Sequence, residues 1–118
     1  MKRQGLPELS RALREVAGRD EIARALCRIL RPVHDYDART RSDLSRTLRV
    51  YVECGGNLAT TADRLFLHRN SVTYRLQRIH DLSRIDPRDG RTRLLLLVAF
   101  TLADPSMLEP MPDEGEVG

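Results

Sequence analysis

Between Asn57 and Leu82 the chain holds a helical stretch of about two turns, a short break, and a second, longer helical stretch. Gly55-Gly56 ends the preceding segment, because glycine enters the left-handed cap without strain. Asn57 can cap a short helix from Leu58 to about Leu65. The break falls at Phe66-Leu67-His68, and the next helix runs from about Asn70 to Leu82. This is the spacing of a helix-turn-helix. Ala62 supplies the small residue where two such helices cross. Leu65, Leu67, Val72, Leu76 and Ile79 supply the apolar positions that hold them at a steep angle. Many such units carry glycine in the turn, where Phe66 stands here. The turn is therefore expected to avoid a left-handed residue or to bury the ring.

The second helix of the pair has two sides. At ~100° per residue, Val72, Leu76 and Ile79 fall in one narrow stripe. Asn70, Tyr74, Gln77 and Asp81 fall opposite, flanked by Thr73 and Arg78, with Arg69 just before them. Asn and Gln can make paired hydrogen bonds to adenine, Arg to guanine, and Thr or Ser to several base edges. Arg and Tyr also reach phosphates. Only the first two turns would touch bases, because a docked recognition helix inserts its N-terminal part. Arg75 lies beside the apolar stripe, and a structural role, paired with Asp63 or Glu53, is favoured over a DNA contact. For His68 and His80 the ordinary role is a cap or a surface position; His68 also fronts the polar face and stays among the candidates.

The remaining sequence reads as helix, with no convincing strand. Leu6, Leu9, Leu13 and Val16 recur at helical spacing in residues 1–18. Asp20 can cap a second helix, which Pro32 is expected to end, leaving His34 to Arg41 as a connection. Thr40 with Asp43 resembles a capping box before a helix presenting Leu44, Leu48, Tyr51 and Val52. A last helix is expected to open at Asp86-Pro87 and to run through Leu94–Phe100, apolar on every side. Such a helix is buried all round or meets a partner. Gly90 weakens its start. Residues 104–118 hold three prolines, two glycines and five acids and are expected to be a disordered acidic tail.

Charge narrows the function classes. The chain carries 20 basic and 17 acidic residues, a net +3. Five of the acids follow Ala103, so residues 1–103 hold 20 basic against 12 acidic residues, or +8. Such a domain attracts polyanions, although 19 of the 20 cations are Arg, which genomic coding bias also produces. No apolar run approaches the ~20 residues of a membrane span, and the N-terminus lacks a signal-peptide core. Cys27 and Cys54 are expected to be buried free thiols in a reducing cytoplasm. Three His and two Cys show neither metal-ligand nor nucleophile–base spacing, so no catalytic residue, metal or cofactor is expected and the chain does not read as an enzyme.

Three strings carry a family resemblance: Gly55-Gly56-Asn57-Leu58, Thr61-Ala62-Asp63-Arg64-Leu65-Phe66-Leu67-His68-Arg69-Asn70-Ser71, and Tyr74-Arg75-Leu76-Gln77-Arg78-Ile79. They resemble the C-terminal DNA-binding domain of PucR-type bacterial transcriptional regulators, which the sugar-diacid regulators share. Arg31-Pro32-Val33, Asp35-Tyr36-Asp37 and Leu44-Ser45-Arg46-Thr47-Leu48 fit the lead-in of that domain, and the resemblance spans Ala25 to Leu102. It implies an all-α domain over residues 19–103 with a helix-turn-helix like that of the nucleoid protein Fis. It also implies binding to operator DNA and control of catabolic genes. By position, Arg69, Asn70, Ser71, Thr73 and Tyr74 fall where the recognition helix meets DNA. Ser71 stands where the family usually has threonine, and Gly90 departs from the expected acidic and apolar pattern.

Family members normally carry long N-terminal regions that sense a ligand and self-associate. Only some 20 residues precede the match here, so ligand sensing is not carried over. A truncated gene, a separated domain and a stand-alone binder all fit. The expected partners are double-stranded operator DNA, a second copy of the chain, and a longer regulator of the same type, with no membrane. The competing reading is a helical interaction module without DNA binding.

Overall fold

The computed structural model describes residues 18–103, together with Glu8, Leu9, Arg11, Ala12 and Glu15 ahead of them. Five helices account for the described domain: α1 Arg19–Thr40, α2 Leu44–Glu53, α3 Leu58–Leu65, α4 Arg69–Ser83 and α5 Gly90–Ala103. No strand occurs among the described residues, and the fold is all-α. The stripe residues Leu6, Leu13 and Val16 and the acidic segment 104–118 lie outside the described residues; Leu9 is exposed.

α1 departs from the expected pattern at both ends. Gly18, not Asp20, stands at its N-cap, and the helix runs through Pro32 to Thr40. The segment His34–Arg41 is thus helical up to its last residue rather than a connection. An interior proline costs a helix ~3 kcal/mol. Here Leu30 and Val33 are buried on one side of it and Tyr36 packs on the core a turn later. Each buried aliphatic side chain returns ~1.5–3 kcal/mol. Pro32 and Arg28, whose carbonyl loses its proline partner, are both exposed, so water reaches that carbonyl.

The expected capping box at Thr40 is also corrected. Thr40 closes α1, and its hydroxyl donates to the Tyr36 carbonyl at 2.7 Å. Asp43 occupies the N-cap of α2, but its side chain makes no capping bond. Asp37 does the capping from α1: its two oxygens accept from the backbone N–H of Leu44 at 2.8 Å and of Ser45 at 2.9 Å. The end of α1 and the start of α2 are tied by one carboxylate.

α2 stops as the glycines require. Gly55 and Gly56 have φ of 65° and 83°. Gly56 N–H reaches the Tyr51 carbonyl and Gly55 N–H that of Val52, both at 3.0 Å, a Schellman closure. Asn57 caps α3 by accepting from Thr60 N–H at 2.9 Å. α5 opens at Gly90 rather than at Asp86-Pro87. Asp89 supplies the cap, accepting from both the backbone N–H and the hydroxyl of Thr92 at 2.9 Å. Asp86 instead binds Arg88 across a turn, and Pro87 is buried within it.

One core joins all five helices: Val33 from α1; Leu44, Leu48 and Val52 from α2; Ala62 from α3; Val72, Leu76 and Ile79 from α4; Leu96 and Phe100 from α5. Leu67 packs against it from the α3–α4 turn. The expected buried thiols are not found. Cys27 is exposed and Cys54 is half-buried. α5 does not bury its run all round: Leu94 and Leu95 are 60% and 62% exposed, and Val98 is exposed beside them.

Candidate nucleic-acid interface

α3, a three-residue break and α4 form a helix-turn-helix, and the turn is built in an unexpected way. Phe66 adopts a left-handed conformation, φ 57°, and its ring is 93% exposed. Both expectations for this residue fail. The backbone pattern explains the first. Leu67 N–H donates to the Ala62 carbonyl at 2.9 Å and Phe66 N–H to that of Asp63 at 3.2 Å. This Schellman closure needs a left-handed residue at the break, and the packing of partly buried Leu67 against the core beside buried Ala62 holds it there. With the backbone so fixed, the Phe66 side chain projects into solvent.

His68 then starts α4. Its Nδ1 accepts from Asn70 N–H at 3.1 Å, so it acts as the N-cap while its side chain remains exposed. Val72, Leu76 and Ile79 are buried on the inner side. Arg69, Asn70, Thr73, Tyr74 and Gln77 are exposed on the outer side, Tyr74 by 64%. Ser71 and Arg78 are half-buried on the flank that faces α1. Ala62 and Leu65 of α3 are buried, so the polar face rests on a fixed scaffold. Gln77 Nε2 donates to Asp81 Oδ1 at 2.9 Å, which turns that amide along the helix.

Arg75 is structural, but its partner is neither Asp63 nor Glu53. Its Nη1 donates to the hydroxyl of fully buried Thr47 at 2.9 Å, and that hydroxyl in turn donates to the Asp43 carbonyl at 2.8 Å. Glu53 pairs with Arg64 at 3.3 Å. The Arg75 bond ties the polar helix to α2 and fixes its rotation.

Sequence reasoning missed the contribution of α1. Tyr36 stands against Arg78, whose Nε donates to the tyrosine hydroxyl at 3.4 Å. This contact holds the Arg78 guanidinium further into its charged form. Periodicity placed Tyr36 in a connection, so nothing aligned it with a residue 42 positions away.

Comparison with known proteins agrees with this geometry. Residues 44–102, half of the chain, match the PucR C-terminal helix-turn-helix domain. An uncharacterized protein of Mycobacterium tuberculosis is 39% identical over 74 residues, covering 63% of this chain and 17% of that protein. The carbohydrate diacid regulator of Escherichia coli is 36% identical over 97 residues, 82% of this chain and 24% of the regulator. The proline-responsive transcriptional activator PutR of Bacillus subtilis is 32% identical over 66 residues, 56% of this chain and 16% of the activator. The chain thus spans a quarter or less of these curated relatives. No solved structure matches it significantly. With the helix pair, its buried crossing and this match together, the chain belongs to the PucR C-terminal helix-turn-helix domain family.

Proposed function

We propose that this domain binds operator DNA sequence-specifically and regulates transcription, with α4 in the major groove. The observation that supports it is the exposed polar side of α4 on a buried apolar stripe. Arg69, Asn70, Ser71, Thr73 and Tyr74 are the base-reading and phosphate-binding set, with His68 at its leading edge and Gln77 and Arg78 at its rear. The relatives' names, a proline-responsive activator and a carbohydrate diacid regulator, point to genes for the use of small metabolites. The domain acts in the cytoplasm, where that DNA lies. Among the described residues no helix is long and apolar enough to cross a membrane.

A single helix-turn-helix reads few base pairs, and a two-fold pair doubles the readout. The exposed Leu94, Leu95 and Val98 on α5 favour association with a second copy, and a longer regulator of the same type would offer the same surface. The test is binding to fragments of the gene's own upstream region over a range of salt concentrations. Arg69→Ala loses ~1–3 kcal/mol on the preferred fragment if the guanidinium reads a base. If it touches only phosphate, all fragments weaken alike and the salt slope falls by about 1. Failure of the unaltered protein to bind DNA even in low salt, with capture of a longer regulator, would leave the interaction-module reading instead.

A further inference from the structure

The polar face of α4 borders a groove whose other wall lies outside the helix-turn-helix. Tyr36 and Ser42, from the end of α1 and the connection after it, face Asn70, Ser71, Tyr74 and Arg78 across about 430 Å³. The Tyr36 ring draws two cations. The Arg78 guanidinium carbon lies 5.2 Å from the ring centroid and that of Arg39 lies 5.7 Å away. Neither arginine pairs with a carboxylate within 4 Å among the described residues, and Asp81, which acts on Arg78 through space, is held by Gln77. Of the acids near Tyr36 and Ser42 in sequence, Asp37 caps α2 and Asp43 pairs with Arg46 at 3.7 Å, while Asp35 is exposed one turn before Arg39 and does not line the groove.

A phosphate that reaches either guanidinium gains charge-assisted contacts. Both side chains are already stacked, so less freedom is lost on binding than for arginines free in solvent. The groove opens directly beside Asn70 and Tyr74. A duplex that takes α4 into its major groove therefore lays one sugar-phosphate strand along this flank.

We propose that Arg78 at the groove and Arg39, both stacked on Tyr36, form a seat for backbone phosphates of duplex DNA on the α1 side of the recognition helix. This rests on α4 being the recognition helix, and it extends the DNA surface to α1.

The test is fluorescence anisotropy of the full chain on a labelled random-sequence duplex, across a salt series. The variants are Arg39→Gln, Arg39→Gln/Arg78→Gln and Arg39→Lys, with Arg69→Ala as the reference and thermal melts as the check on folding. Each phosphate contact sets a slope of about 0.9 in log affinity against log salt. Arg39→Gln flattens the slope by about 1 and the double variant by about 2, with roughly eightfold weaker binding per lost cation at 0.1 M salt. Arg39→Lys keeps the slope. If the double variant melts early, the exposed Arg39 alone carries the test. An unchanged slope in Arg39→Gln, while Arg69→Ala still weakens binding, overturns the seat and leaves the recognition helix standing. No binding by the unaltered chain overturns both.

Discussion

Phe66 shows how a single residue can be set against its own preference. A left-handed conformation costs a non-glycine residue ~1–2 kcal/mol, and the exposed ring returns no packing. Phe66→Gly relieves that strain, partly offset by the greater freedom of glycine in the unfolded chain. The expected outcome is a gain of about 0.5–1 kcal/mol in urea denaturation. A loss would mean that the ring rests on something in solution. Arg75 is the opposite case. Arg75→Met keeps the stem and removes the bond to Thr47, and a loss of about 1–2 kcal/mol is expected from the same measurement. The buried stripe Val72-Leu76-Ile79 was legible in the sequence because burial leaves a 3.6-residue period. The partner of Arg75 was not. Charge complementarity pointed to an acid, whereas the contact is a buried hydroxyl 28 positions away, which no local pattern encodes.

At the scale of elements, interiors were legible and ends were not. α3 and α4 begin and end within a residue of their expected limits, because Gly55-Gly56, Asn57 and the Phe66-Leu67-His68 break are local signals. α1 passes through Pro32 because burial of Val33 and Tyr36 outweighs a local penalty, and that burial depends on α2, α4 and α5. The cap of α2 comes from Asp37, seven residues upstream, a spacing that no capping motif uses. α5 gives a testable pH dependence. The backbone N–H and then the hydroxyl of Thr92 hold the Asp89 carboxyl below the ordinary aspartate value of 3.8. A group with a depressed pKa in the folded state stabilises it above the unfolded value and loses that effect as pH falls through the folded one. The Thr92 amide should therefore keep its hydrogen-exchange protection down to pH 3.8 and lose it only below, after correction for intrinsic exchange. Loss of protection already between pH 6 and 4.5 would contradict this cap.

For the molecule as a whole, the two exposed features fall on different sides of the core. The polar face of α4 and the Tyr36 groove lie toward the end of α1. The apolar surface of α5 lies toward its beginning, where Ile22, Ala25 and Ile29 line a groove with Leu95 and Ala99. A second copy joined through α5 thus leaves both α4 faces open. Leu95→Glu, at an exposed position, should leave the melting temperature nearly unchanged, convert a dimer to a monomer in sedimentation equilibrium, and weaken binding to a two-fold site more than to a half-site. A monomeric unaltered protein at high concentration would remove α5 from this role. α1 itself links the two regions. Its 22 residues span ~33 Å, with Gly18 at one end and Tyr36, stacked on Arg78, near the other. It is one continuous helix tied at its far end to α2 and α4, so a rotation imposed where the chain meets Gly18 would be carried toward the proposed DNA-binding face, with Pro32, one backbone hydrogen bond short, as the place where it would bend.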